Sequence, residues 1–195
     1  MKTDVITISS SGENMEAALQ QAEKTAAYKG LSKKNAIHLR LLTEEMMGMM
    51  RSIAGKVEGK YWIEDEDGTY QLHLKVHAIM NDEKREKLIS ASTSGKNEAT
   101  KGIMGKIRAF FEPAEDNPLY VTSMMTDGPE GLTDMSWSMY SYREQLERYL
   151  EEKRDGAAEA WDELEKSIVA RLADDVVVGV KGDRIDLIIT KKFGK

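Results

Sequence analysis

Cysteine is absent from this chain, and proline occurs only three times in 195 residues. Without cysteine there is no disulfide scaffold, no thiolate zinc site and no Cys nucleophile; the composition suits a reducing cytoplasm, the compartment we expect. No apolar run approaches the ~20 residues that a membrane-crossing helix requires. An excess of basic residues is also missing. The formal net charge of −6 argues against nucleic acid or an anionic membrane as a bulk partner, since both call for a basic surface. The start, Met1-Lys2-Thr3-Asp4-Val5, lacks the charged lead and apolar core of a signal peptide. A chain of this size buries about 70% of its unfolded surface and needs no metal or disulfide to fold.

What is present is most informative in Leu41-Leu42-Thr43-Glu44-Glu45-Met46-Met47-Gly48-Met49-Met50, the middle of a helix with two apolar faces. At about 100° per residue, Leu39, Leu42, Met46, Met49, Met50 and Ile53 form the core-facing stripe. On the opposite side Ile37, Leu41, Glu44 and Gly48 align. An outward face normally carries Lys, Glu, Gln and Ala. This one is mostly apolar, so we expect it to border a pocket or a second buried space. Glu45 lies about 100° further round and is expected to face solvent.

Around this helix the elements follow from local signals. Val5-Ile6-Thr7-Ile8 is a short β-branched strand. Ser10 and Glu13 resemble a capping box for a helix bearing Met15, Ala18, Leu19, Ala22 and Ala26, which ends at Gly30. Ser32 caps the two-faced helix, which ends near Gly55. Tyr61-Trp62-Ile63 and Tyr70 to Val76 then flank the turn signal Asp67-Gly68. In the second strand Tyr70, Leu72, Leu74 and Val76 share one face, while Gln71, His73, Lys75 and His77 share a wet one. Asp82 to Ser90 reads as a short polar helix and Ser92 to Asn97 as a loop. A helix with Ile103, Met104, Ile107, Phe110 and Phe111 starts at Lys101. Glu112 to Asp134 holds all three prolines and reads as a long loop. Two amphipathic helices follow, broken at Gly156. Ser141 caps the first, with Tyr142, Leu146, Tyr149 and Leu150 inward. The second presents Ala157, Trp161, Leu164, Ile168 and Leu172. Val176 to Val180 and Ile185 to Ile189 form a closing hairpin across Lys181-Gly182-Asp183. Clustered rather than alternating strands and helices predict an α+β two-layer sandwich: a mixed, mostly antiparallel sheet with helices on one face.

This order resembles the Bergerat-fold ATP-binding domain of histidine kinases, type II topoisomerases and bacterial anti-sigma factor serine kinases, the last most closely. The resemblance covers residues 3–111 and 174–193, making 1–195 one domain with a loop and helical insertion at about 112–172. The motifs match less well than the order. The family's second helix carries Glu-x-x-x-Asn, whose Asn holds magnesium; here Glu44 matches the carboxylate but Gly48 stands in the Asn place. Glycine brings no side-chain oxygen, and magnesium requires hard oxygen ligands. The family's adenine-binding Asp-x-Gly-x-Gly has no counterpart in His77-Ala78-Ile79-Met80-Asn81, and Asp82 is displaced toward the next helix. The Gly-rich helix start beside the phosphates has a partial counterpart in Lys101-Gly102-Ile103-Met104-Gly105-Lys106, where free N–H groups and the helix dipole favour an anion.

These departures imply a regulatory or partner-binding protein without catalysis and without a cofactor, on a scaffold that has lost its magnesium and adenine motifs. The alternative implied by the resemblance is an ATP- and magnesium-dependent protein serine kinase. It would use Glu44 as base, with Gly48, Lys101, Gly102, Gly105 and Lys106 lining the nucleotide pocket. His73 and His77 are about 13 Å apart along one strand and cannot share a metal ion by themselves. No P-loop and no Gly-x-Ser-x-Gly elbow occurs. Trp137 and Tyr140 have no assigned inward position. If both are exposed they form an apolar patch for a protein partner or for self-association, within an insertion not needed to complete the core.

Overall fold

The computed structural model describes residues 1–53, 57–77, 135–181 and 184–194. Among these residues six strands make one sheet in the order β1-β2-β3-β6-β5-β4, and every described pairing is antiparallel. They are β1 (Ile6–Ser9), β2 (Glu58–Glu66), β3 (Thr69–His77), β4 (Met135–Ser138), β5 (Asp175–Lys181) and β6 (Arg184–Lys192). The helices are α1 (Met15–Tyr28), α2 (Lys33–Ile53), α3 (Met139–Glu151), α4 (Ala157–Lys166) and α5 (Ile168–Leu172). The β2–β3 and β5–β6 hairpins join through β3 and β6, where Leu72 opposes Ile189 and Leu74 opposes Leu187. This is the expected α+β sandwich.

One face of the sheet holds the core. Ile8, Tyr61, Ile63, Tyr70, Leu72, Leu74, Val76, Trp137, Val176, Val178, Ile185, Leu187 and Ile189 cluster there with buried residues of the five described helices. From α2 come Leu39, Leu42, Met46, Met49 and Met50, the stripe read from the helical period. Helix and sheet touch closely at Gly59, where a Cβ would sit 3.2 Å from Met50 Cε and 3.1 Å from Lys75 O. At the β2–β3 turn Asp67 (φ 49°) and Gly68 (φ 82°) are both left-handed, as a two-residue type I′ turn demands.

Helix boundaries follow side-chain chemistry, with some departures from expectation. Ser32 does cap α2, its hydroxyl accepting from Asn35 N at 3.2 Å. Gly30 ends α1 at φ 65°, and Leu31 N reaches back to Ala26 O. Ser10 does not cap α1; its hydroxyl accepts from Val57 N, and Asn14 occupies the cap position. Asn14 Nδ2 instead donates to Thr7 O at 2.9 Å, and Gln21 Nε2 to Asp4 O at 2.7 Å. Side chains at the start and middle of α1 thus satisfy carbonyls along the outer edge of the sheet, a standard protection of an edge strand.

Residues 135–172, the described part of the segment expected to be an insertion, contribute to the core. Met135–Ser138 is an edge strand on β5, so the sheet is not complete without it. Ser138, not Ser141, caps α3, accepting from Ser141 N. The helix after Gly156 breaks at Ser167, whose extended backbone starts α5 and whose hydroxyl accepts from Ala170 N. That break turns Val169 and Ala170 inward and leaves Ile168 exposed, contrary to the single stripe expected. The elements expected between Asp82 and Asp134, and the turn residues Gly182 and Asp183, lie outside the described residues. No helix among the described residues is long and apolar enough to cross a membrane.

Candidate functional site

On α2 burial spans Leu39, Leu42, Thr43, Met46, Met47, Met49 and Met50. This arc is wider than an amphipathic stripe because Thr43 and Met47 are also covered. The row Ile37, Leu41, Glu44 and Gly48 lies opposite its centre. Accordingly Ile37, Glu44 and Gly48 are exposed and Leu41 is half-buried. A Cβ built on Gly48 would meet nothing within 4 Å. The expectation of a second buried space along this row is therefore corrected: it forms an open, largely apolar strip with one carboxylate. Glu45 is the more covered of the two acids, half-buried rather than solvent-facing. Burial, and then the neighbouring Glu44, push its carboxyl above the usual range. Lys101, Gly102, Gly105 and Lys106, the expected phosphate end, lie outside the described residues.

Trp137 and Tyr140 do not form one exposed patch. Trp137 is 2% exposed, pairs with Val178 across β4 and β5, and has its ring 6.1 Å from that of Tyr142. Tyr140 is 57% exposed at the start of α3. The two are three residues apart, and the chain turns from strand to helix at Met139 between them, so their rings do not share a face. Only Tyr140 remains as a surface aromatic from that pair.

The second face of the sheet is less wet than strand alternation predicts. Trp62 and His73 are cross-strand partners with rings stacked at 4.8 Å and 1° from parallel. Trp62 is 7% exposed and the His73 side chain 12%. Trp62 Nε1 donates to Glu64 Oε1 at 2.8 Å, and Lys2 Nζ lies 2.9 Å from the same oxygen. Lys2 and then Trp62 hold the Glu64 carboxyl below the usual range. Glu64 Oε2 is 3.7 Å from His73 Nε2, which has no hydrogen-bond partner among the described residues. On β6, Asp186 is 4% exposed; Arg184 lies 3.1 Å from its Oδ2, while Oδ1 has no hydrogen-bond partner among the described residues. Sequence reading missed this cluster because period-2 alternation assigns a face but not what covers it. The one available signal was Trp62, a large apolar ring on the polar side.

Beside this cluster, at the turn end of β2 and β3, a cleft of about 670 Å³ is lined by Met1, Lys2, Glu64, Asp65, Glu66, Thr69 and Gln71. Of its acidic residues, Asp65 is buried and ion-paired with Lys29. No group of three His, Cys, Asp or Glu among the described residues is placed to hold a metal ion. No protein-family model matches this chain, and no curated protein matches it in sequence.

Proposed function

We propose that this chain is a non-catalytic regulatory protein that works by binding another protein, on a scaffold of the Bergerat ATP-binding type. The observation that carries this reading is the outward row of α2. Ile37, Leu41 and Gly48 give an accessible apolar strip of the kind that meets a partner, and Glu44 adds one charge to orient it. The same row is where the resembling family places its Glu and its magnesium-binding Asn. Gly48 offers magnesium no side-chain oxygen, which favours recognition over phosphoryl transfer. Helices on one face of an α+β sheet are compatible with that scaffold.

Titration of ATP and ADP, with and without magnesium, tests the proposal. Each lost charged or hydrogen-bonded contact costs about 1.5–3 kcal/mol, and about 1.4 kcal/mol is tenfold in affinity. Losing both the Asn oxygen and the adenine-binding Asp weakens a micromolar site by several hundredfold on this scale. We expect no magnesium-dependent affinity tighter than the millimolar range. A micromolar, magnesium-dependent isotherm overturns the proposal and favours the serine kinase alternative, with Glu44 as base.

A further inference from the structure

We propose that Trp62, Glu64 and His73 form a proton-operated latch on the second face of the sheet, in which a protonated His73 draws Glu64 away from Trp62 and Lys2. The geometry is poised for it. Glu64 spends Oε1 on two donors, the Trp62 indole N–H at 2.8 Å and Lys2 Nζ at 2.9 Å. Its Oε2 stands 3.7 Å from His73 Nε2, inside ion-pair range but beyond a hydrogen bond. Closing that gap by about 1 Å makes a charge-assisted bond.

Neutral His73 leaves Nε2 without a partner among the described residues, in a nearly covered position. Whichever ring nitrogen takes a proton from solvent, the imidazolium carries an N–H at Nε2 and a full charge. Glu64 is a carboxylate within ion-pair range of that charge. The other groups facing the ring are Lys2 from the N-terminal segment, Lys75 on β3, and Asp186 with its partner Arg184 on β6. Lys2 and Lys75 also sit over the Trp62 ring, at 4.8 Å and 5.6 Å. A cation arriving in the stack competes with both for the ring face and for Glu64. Burial first, with Lys2 and Lys75 adding to it, keeps His73 below its ordinary value, while Glu64 and Asp186 pull the other way. Glu64 and Lys2 also line the neighbouring cleft, so the movement alters the charge at its wall.

Two-dimensional NMR of the whole chain reads the latch directly. The His73 imidazole C–H and the Trp62 indole N–H are followed from about pH 8 to pH 5. We expect both to move with one shared midpoint below 6.5, the ordinary histidine value. In Glu64→Gln, which still accepts from the indole, the His73 midpoint falls further because the attracting charge is gone. In His73→Gln the Trp62 indole no longer moves with pH. An indole resonance that stays still while His73 titrates overturns the proposal, as does a Trp62 shift that survives in His73→Gln. Should His73→Gln fail to fold, the coincidence of the two midpoints in the unaltered chain decides the matter.

Discussion

Thr43 and Tyr61 meet hydroxyl to hydroxyl at 2.9 Å in the apolar layer between α2 and the sheet. Thr43 Oγ1 also donates to Leu39 O at 3.0 Å. A hydroxyl has one proton, so Thr43 spends its own on Leu39 and Tyr61 must be the donor across the layer. Burial pushes the Tyr61 phenol far above its ordinary value and keeps it protonated for that role. Tyr61→Phe removes a hydrogen bond but leaves Thr43 satisfied, at an expected cost of about 0.5–1.5 kcal/mol. Thr43→Val strands the buried phenol and is expected to cost about 1–3 kcal/mol. Denaturant unfolding of both variants shows whether the order is as stated.

Leu42 is fully buried beneath the sheet while Glu44, two residues on, is exposed. Leu42→Ala is expected to cost about 2–5 kcal/mol, and Glu44→Gln to stay within about 0.5 kcal/mol of the unaltered chain. Equal effects in thermal or denaturant unfolding would contradict the orientation of α2.

The two aromatics of the β4–α3 junction should separate in the same way. Trp137→Ala empties a core position and is expected to cost about 3–5 kcal/mol. Tyr140→Ala removes an exposed ring and should cost little, since the backbone N–H of residue 140 keeps its 2.9 Å bond to Asp175 Oδ1. Unfolding curves of the two single variants are sufficient to check this.

Asp175 accepts from Tyr140 N and from Val176 N at 2.8 Å, tying the start of α3 to β5. Burial nonetheless raises its carboxyl above the ordinary value, those bonds opposing the shift. A carboxyl raised on folding binds its proton more tightly in the native state. Its contribution to stability therefore grows as pH falls through the folded value, and is smallest at neutral pH. Asp175→Asn cannot titrate. The stability of the unaltered chain relative to Asp175→Asn is expected to rise on going from neutral pH to about pH 4; a constant difference would show that Asp175 is not perturbed.

Much of this architecture is legible in local patterns. The alternation of Tyr70 to Val76, the Asp67-Gly68 turn, the Gly30 stop and the Leu39–Met50 stripe each depend on neighbours a few residues away. Secondary structure obeys those neighbours. The row holding Glu44 and Gly48 was equally readable as a row. Whether it faced solvent or a second layer was not, because the answer depends on how widely α1, the sheet and α5 cover the other side of α2.

Where partners are distant, only the tertiary structure decided. Met135–Ser138 is four residues long, follows an aperiodic stretch and becomes a strand because β5 pairs with it. Trp137 is buried because Val178, far along the chain, lies opposite. Ser167 breaks a helix whose apolar stripe reads as continuous, and the break turns Val169 and Ala170 into the core. His73 reads as one residue of a wet strand face until β2 sets Trp62 against its ring. A side chain's periodicity is local, but its burial, its hydrogen-bond partners and its charge environment are set by groups that folding brings from elsewhere in the chain.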